Sequence, residues 1–147
     1  MKIGIATDHG GLELKQHLKA YLEKKGFSVD DFGAYEYDAA DDFPDFVVPL
    51  ARAVGEGKVD RGVAVCGSGV GASIAANKIK NVRACLIMES YSAAQGVEHD
   101  DMNMICLGGR VIGPALAETL LDAFLGAEYA ALPRQLRRMG KVAELEE

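Results

Sequence analysis

Short apolar runs alternate along the chain with segments whose hydrophobic positions recur every three or four residues. Ile3–Ala6, Val63–Cys66 and Met104–Leu107 are apolar at successive positions. Strands of that kind are buried on both faces, as in a parallel sheet covered by helices. Phe27–Phe32 and Arg83–Met88 complete five predicted strands. The first helix carries Leu14, Leu18, Tyr21 and Leu22 on one stripe and closes at Gly26. Asp42 is placed to cap a second helix bearing Phe46, Val47, Leu50, Ala51 and Val54, ended by Gly55 and Gly57. A short helix is predicted near Ala72–Asn77, and another from Tyr91 to Glu98 with Ser90 as its cap. Gly113-Pro114 opens a helix with the stripe Leu116, Leu120, Leu121 and Phe124, closed at Gly126. The basic segment holding Arg134, Arg137, Arg138 and Lys141 reads as a last helix. The longest irregular stretch is Gly33–Asp41. Its acidic run, Asp38, Asp41, Asp42 and Asp45, reads as a solvated loop leading into the helix cap.

Strands alternating with helices define an α/β chain. The expected architecture is a three-layer αβα, Rossmann-like fold with a five-stranded, mostly parallel sheet and a C-terminal helix. No repeat or linker interrupts it, so residues 1–147 read as one domain. The net charge of −6 argues against nucleic acid or an anionic membrane as a partner. No apolar run approaches the roughly 20 residues that span a bilayer. The polar Thr7 follows Met1–Ala6 too soon for a secretory leader. Cys66, Cys85 and Cys106 show no paired spacing, which fits a reducing compartment better than a disulfide framework or a zinc site. The reading is a soluble cytoplasmic protein.

Ligands of open α/β sheets bind beyond the carboxyl ends of the strands. Three segments gather there: Thr7-Asp8-His9-Gly10-Gly11, Cys66-Gly67-Ser68-Gly69-Val70-Gly71 and Gly108-Gly109-Arg110. The glycine loop and the helix behind it aim N–H groups at an anion, a phosphate or an oxyanion formed in a reaction. The same amides would favour a thiolate at Cys66, although that position also suits a small buried strand residue. Cys85 and Cys106, inside strands, read as buried core. Asp8 suits a helix cap as well as a site, and His17 reads as surface. His99 falls at the far end of its helix from the rim, so it is either structural or delivered by a second subunit. Arg134 and Arg138, four residues apart, share a helix face that could clamp phosphate or merely be solvated. Three other readings stay open on these residues: a nicotinamide-dinucleotide enzyme using the glycine loop with Glu89, a cysteine hydrolase built on Cys66 and His99, and a non-catalytic sugar-phosphate binder.

Taken in order, these motifs resemble the B-type ribose-5-phosphate isomerases, a family that includes galactose- and allose-6-phosphate isomerases. The resemblance rests on Asp8–Gly11, Cys66–Gly71 with Ala75-Ala76-Asn77-Lys78, His99-Asp100-Asp101-Met102-Asn103, Gly108–Arg110 and Leu125–Tyr129 before the arginines. It implies reversible aldose–ketose isomerisation of a phosphosugar through an enediolate, without a metal or organic cofactor. By position, Cys66 would be the base, and Ser68 would hydrogen-bond the reacting oxygen. Backbone groups of Gly67, Gly69, Val70 and Gly71 would hold the enediolate. His99 with Asp8 would open the sugar ring. His9, Arg110, Arg134 and Arg138 would bind phosphate, and Asp100 would lie against the substrate. The resemblance also implies a homodimer with shared active sites, alone or paired into a tetramer. Ribose 5-phosphate and ribulose 5-phosphate are the leading substrates, with galactose, allose or tetrose phosphates as alternatives. Four features depart from the family pattern: Asp100 where Asn is usual, Phe43 for a common Tyr, Gln135 for a common His, and Ala130-Ala131-Leu132-Pro133, about one residue longer than usual.

Overall fold

A computed structural model describes residues 1–146. Five strands, β1 (Lys2–Thr7), β2 (Ser28–Asp31), β3 (Arg61–Cys66), β4 (Ala84–Leu86) and β5 (Met104–Gly108), form one sheet in the order β2-β1-β3-β5-β4. All four pairings are parallel, so the sheet is parallel throughout. The helices are α1 (Leu12–Lys24), α2 (Pro44–Gly55), α3 (Val70–Ala76), α4 (Ser90–Asp100), α5 (Pro114–Gly126) and α6 (Pro133–Ala143). The architecture is the expected α/β, Rossmann-like one. None of the described helices is long and apolar enough to cross a membrane.

The period of two along each strand sorts the core into two unlike faces. Ile3, Ile5, Val63, Val65, Ile105 and Leu107 point one way, into Leu14, Leu18 and Leu22 of α1, Val97 of α4 and Leu120, Leu121 and Phe124 of α5. Each fully buried side chain of this size contributes about 1.5–3 kcal/mol of burial free energy. Ala6, Ala64, Cys66, Met104 and Cys106 point the other way, into Val47, Leu50 and Ala51 of α2 and Ala72 and Ala76 of α3. The second face is mostly small residues, which lets α2 and α3 come close to the sheet. Cys66 is the last residue of that face in β3, beneath the start of α3.

Several local expectations are corrected. Asp42 does not cap α2; Phe43 holds the cap position without a side-chain bond, and the Asp42 carbonyl accepts from Asp45 N at 3.1 Å. Glu89, not Ser90, caps α4: its carboxylate accepts from Ser92 N at 3.0 Å, a longer side chain reaching the same amide. Hydrogen bonding from the Ser92 side chain, and then from its amide, lowers the Glu89 carboxyl below the usual carboxylate range. Helix α3 starts at Val70, earlier than expected, and β4 is only Ala84–Leu86. Leu120, Leu121 and Phe124 of the α5 stripe are buried as expected, but Ala117 and not the exposed Leu116 is its first member. Cys106 is buried, but Cys85 is exposed, because β4 is an edge strand. Gly26 does close α1: Gly26 N donates to Glu23 O and Phe27 N to Leu22 O, in the left-handed turn that glycine favours.

Candidate active site

The sheet order reverses at β1, which sends β2 to one side and β3 to the other. Chain segments leaving the carboxyl ends of β1 and β3 therefore diverge and leave a crevice. A cleft of about 480 Å³ lies there, lined by Asp8, His9, Gly10, Phe43, Cys66, Gly67, Ser68, Gly71, Arg110 and Val111. Three predicted segments thus meet at one rim. Close backbone contacts hold them: Gly109 N donates to Cys66 O at 2.8 Å, and Arg110 N to Gly67 O at 3.0 Å. A Cβ on Gly10 would lie 2.9 Å from Gly67 N, so the β1 and β3 loops pack with no room for a side chain.

Cys66 is 4% exposed, at the floor of the cleft. Its Sγ accepts a hydrogen bond from Gly69 N at 3.1 Å. Gly69 makes the turn with φ +83°, and a Cβ there would come within 2.7 Å of Leu86 Cδ1. Val70 N faces Ser68 Oγ at 3.3 Å. The expected amide collar is therefore narrower than the sequence implied. Gly69 N–H is committed to the sulfur, and neither Gly69 nor Val70 lines the cleft. Gly67, Ser68 and Gly71 do, and amides in the first turn of α3 have no acceptor within the helix. Phe43 lies against Gly71, where a Cβ would stand 2.7 Å from Phe43 Cζ. The wall at this point is an aromatic ring without a hydroxyl.

Asp8 both caps and faces the cleft. Its Oδ1 accepts from Gly10 N at 2.8 Å and starts the turn His9–Gly11 that leads into α1. His9 is held from across the rim by Asp41: Oδ1 meets His9 Nδ1 at 2.6 Å and His9 N at 3.1 Å. Asp41 was expected in solvent, yet its side chain is only 9% exposed. Thr7 N donating to Gly33 O, and Ala34 N donating to Thr7 O, both at 2.7 Å, tie the loop after β2 to the end of β1 and carry the acidic stretch over the rim. The hydrogen bond to Asp41 raises the His9 pKa above the ordinary value of 6.5, with help from the charges of Asp8 and Asp41, against partial burial and Arg110. Donor atoms of Asp8, His9 and Asp41 lie within 4.8 Å of one another, the spacing of a possible cation site. His9 Nδ1 and Asp8 Oδ1 already have protein partners, so the trio reads as a hydrogen-bonded cluster.

His99, Asp100, Arg134 and Arg138 do not line this cleft. Helix α4 runs away from the rim, and Asp101, just past its end, pairs with Arg83 at the start of β4 at 3.0 Å. His99 touches only Gln95, at 3.3 Å, among the bonded partners described. Ala130 N donates to Glu98 O at 2.9 Å, which seats the approach to α6 beside the end of α4. Arg134 and Arg138 are exposed on α6, while Gln135 between them is buried. His99 and the helix that carries both arginines thus lie toward the end of the sheet opposite Cys66. Asp41, behind His9, and Val111, on the cleft wall, are residues that the sequence did not point to.

The site is thus a buried thiol under a glycine loop, at the switch point of a parallel sheet. Residues 3–142 match the family model described as Ribose/Galactose Isomerase, and the chain belongs to that family. It is 41% identical to ribose-5-phosphate isomerase B of Escherichia coli over 136 residues, 92% of this chain and 91% of that one. The solved ribose-5-phosphate isomerase B of Clostridium thermocellum superposes with a TM-score of 0.95 at 44% identity, over 99% and 97% of the two chains. The Mycoplasma genitalium enzyme, solved with bound ribulose-5-phosphate, gives a TM-score of 0.94 at 38% identity, over 99% and 95%.

Proposed function

We propose that this chain interconverts ribose 5-phosphate and ribulose 5-phosphate, with Cys66 as the base. The observation that carries the reading is the Cys66 sulfur on the floor of the cleft, beneath the Gly67–Gly71 loop. The family's substrates, and the ribulose-5-phosphate bound to the Mycoplasma genitalium enzyme, support the choice of sugar.

The chemistry requires removal of a weakly acidic proton beside a carbonyl. From the open aldose, the Cys66 thiolate takes the C2 proton, and the C2 electron pair moves into a C1–C2 double bond as charge gathers on O1. The resulting enediolate sits against Ser68 Oγ and the loop amides, with Gly67 and Gly71 on the cleft wall. Preorganised donors of this kind are worth about 3–4 kcal/mol each. The same thiol returns the proton to C1, a proton passes from O2 to O1, and the ketose forms. No oxidant or reductant is consumed. Cyclic sugar hides its carbonyl, so Asp8 with His99 moves the proton that opens the ring. His9 and Arg110 hold the phosphate at the rim, and Arg134 and Arg138 complete that clamp. Phosphate held away from the reacting carbons puts binding energy into alignment.

Because His99, Asp100, Arg134 and Arg138 lie away from their own chain's cleft, the complete site belongs to a homodimer in which each subunit lends them to the other. The test is a panel of aldose and ketose phosphates of four to six carbons, read as isomerisation rates. Ribose 5-phosphate should give the highest kcat/KM. A different sugar leading by an order of magnitude would reassign the substrate, and no turnover of any would reject the reading.

A further inference from the structure

Asp41 grips the ring of His9, which lines the cleft. We propose that Asp41 is a positioning residue that holds His9 as a charged donor to the substrate phosphate, an inference that rests on the phosphate role given to His9 above. The argument is one of tautomers. With Nδ1 against the Asp41 carboxylate at 2.6 Å, that nitrogen carries a hydrogen, and only Nε2 is left for a ligand. In the neutral ring Nε2 is then a lone pair, which repels phosphate. In the imidazolium it is an N–H donor. Recognition of phosphate at His9 therefore needs the cation, and Asp41 is placed to keep it.

The surroundings agree with that assignment. Asp8 from the loop after β1 and Asp41 from the loop before α2 favour the cation, while Arg110 from the loop after β5 opposes it. The Tyr37 ring meets the imidazole edge-on, with centroids 6.0 Å apart. Asp41 also accepts from the His9 backbone, so one oxygen fixes both the ring and the chain that carries it. Its other oxygen, Oδ2, is buried without a partner in the protein. A buried carboxylate with a bare oxygen is costly to keep, and on a loop of this composition it could have faced water. The Asp41–His9 bond is what holds it in.

The experiment follows His9 by NMR of histidine-labelled protein, with and without inorganic phosphate, in wild type and Asp41→Asn, alongside kinetics on ribose 5-phosphate. Wild-type His9 should titrate above 6.5 and move higher with phosphate. In Asp41→Asn it should titrate lower. Phosphate affinity at about pH 8 should fall about tenfold, with KM rising more than kcat falls. The difference should close toward about pH 6, where both forms are charged. Wild-type His9 titrating at or below 6.5, which needs no variant, would overturn the proposal. So would losses equal at both pH values, the mark of a merely structural role. Phosphate binding with the predicted pH profile but no turnover would support the coupling and reject only the isomerase activity.

Discussion

The backbone amide of Gly69 donates to the sulfur of Cys66 across a turn that only a residue without a side chain fits. The positive φ and the wall formed by Leu86 Cδ1 and Leu107 C, at 2.7 and 3.0 Å from a would-be Cβ, allow no substitute. Gly69→Ala should lose about 1–3 kcal/mol of stability in denaturant unfolding, and its turnover should fall as the loop shifts from the sulfur. Wild-type stability and rate in that variant would show that the turn does not position Cys66.

The proposed sharing of sites between two subunits makes a prediction about mixtures. Cys66→Ala and His99→Ala proteins should each be nearly inactive. After subunit exchange, a mixed dimer has one site with both defects and one with neither. Random pairing should then restore roughly a quarter of wild-type activity. A mixture no more active than its parts would place His99 and Cys66 in one chain's site or remove His99 from the reaction.

The three thiols should respond differently to pH. Burial, helped by the charges of Cys66 and Cys85, pushes the Cys106 thiol far up. Partial loss of solvent around Cys85 on its edge strand, with the charge of Asp100, raises it above the ordinary thiol value as well. Only the thiolate reacts with alkylating agents, and a raised pKa means less thiolate at a given pH. Cys66, whose sulfur lies on the cleft floor, is the thiol that iodoacetamide should modify first near neutrality; inactivation should track that modification, and phosphosugar should protect. Labelling of Cys85 should climb as the solution is made alkaline, with Cys106 silent until unfolding. Mass spectrometry showing Cys85 or Cys106 modified before Cys66 at neutral pH would contradict this order.

Most of the fold was legible because its determinants are local. Apolar runs such as Val63–Cys66 mark strands buried on both faces, and Gly26 and Gly113-Pro114 mark helix ends by their backbone chemistry. The cleft was legible for a similar reason, since βα connections place Asp8, Cys66 and Arg110 on one rim whatever the details. What escaped depends on contacts between distant residues. Asp41 and His9 are 32 residues apart, and an Asp in an acidic loop carries no sign that a histidine will bury it. The exposure of Cys85 follows from strand order, which its apolar run cannot express. Whether Asp42 or Phe43, Ser90 or Glu89, stands at a helix start depends on one turn of backbone.

The central claim concerns the Cys66 sulfur, and the turnover of Cys66→Ala on ribose 5-phosphate, measured together with the affinity for that sugar, tests it most directly. The account predicts a fall in kcat of roughly 10²–10⁴-fold, with affinity held within a few-fold. A variant that binds ribose 5-phosphate and isomerises it at the wild-type rate would contradict it.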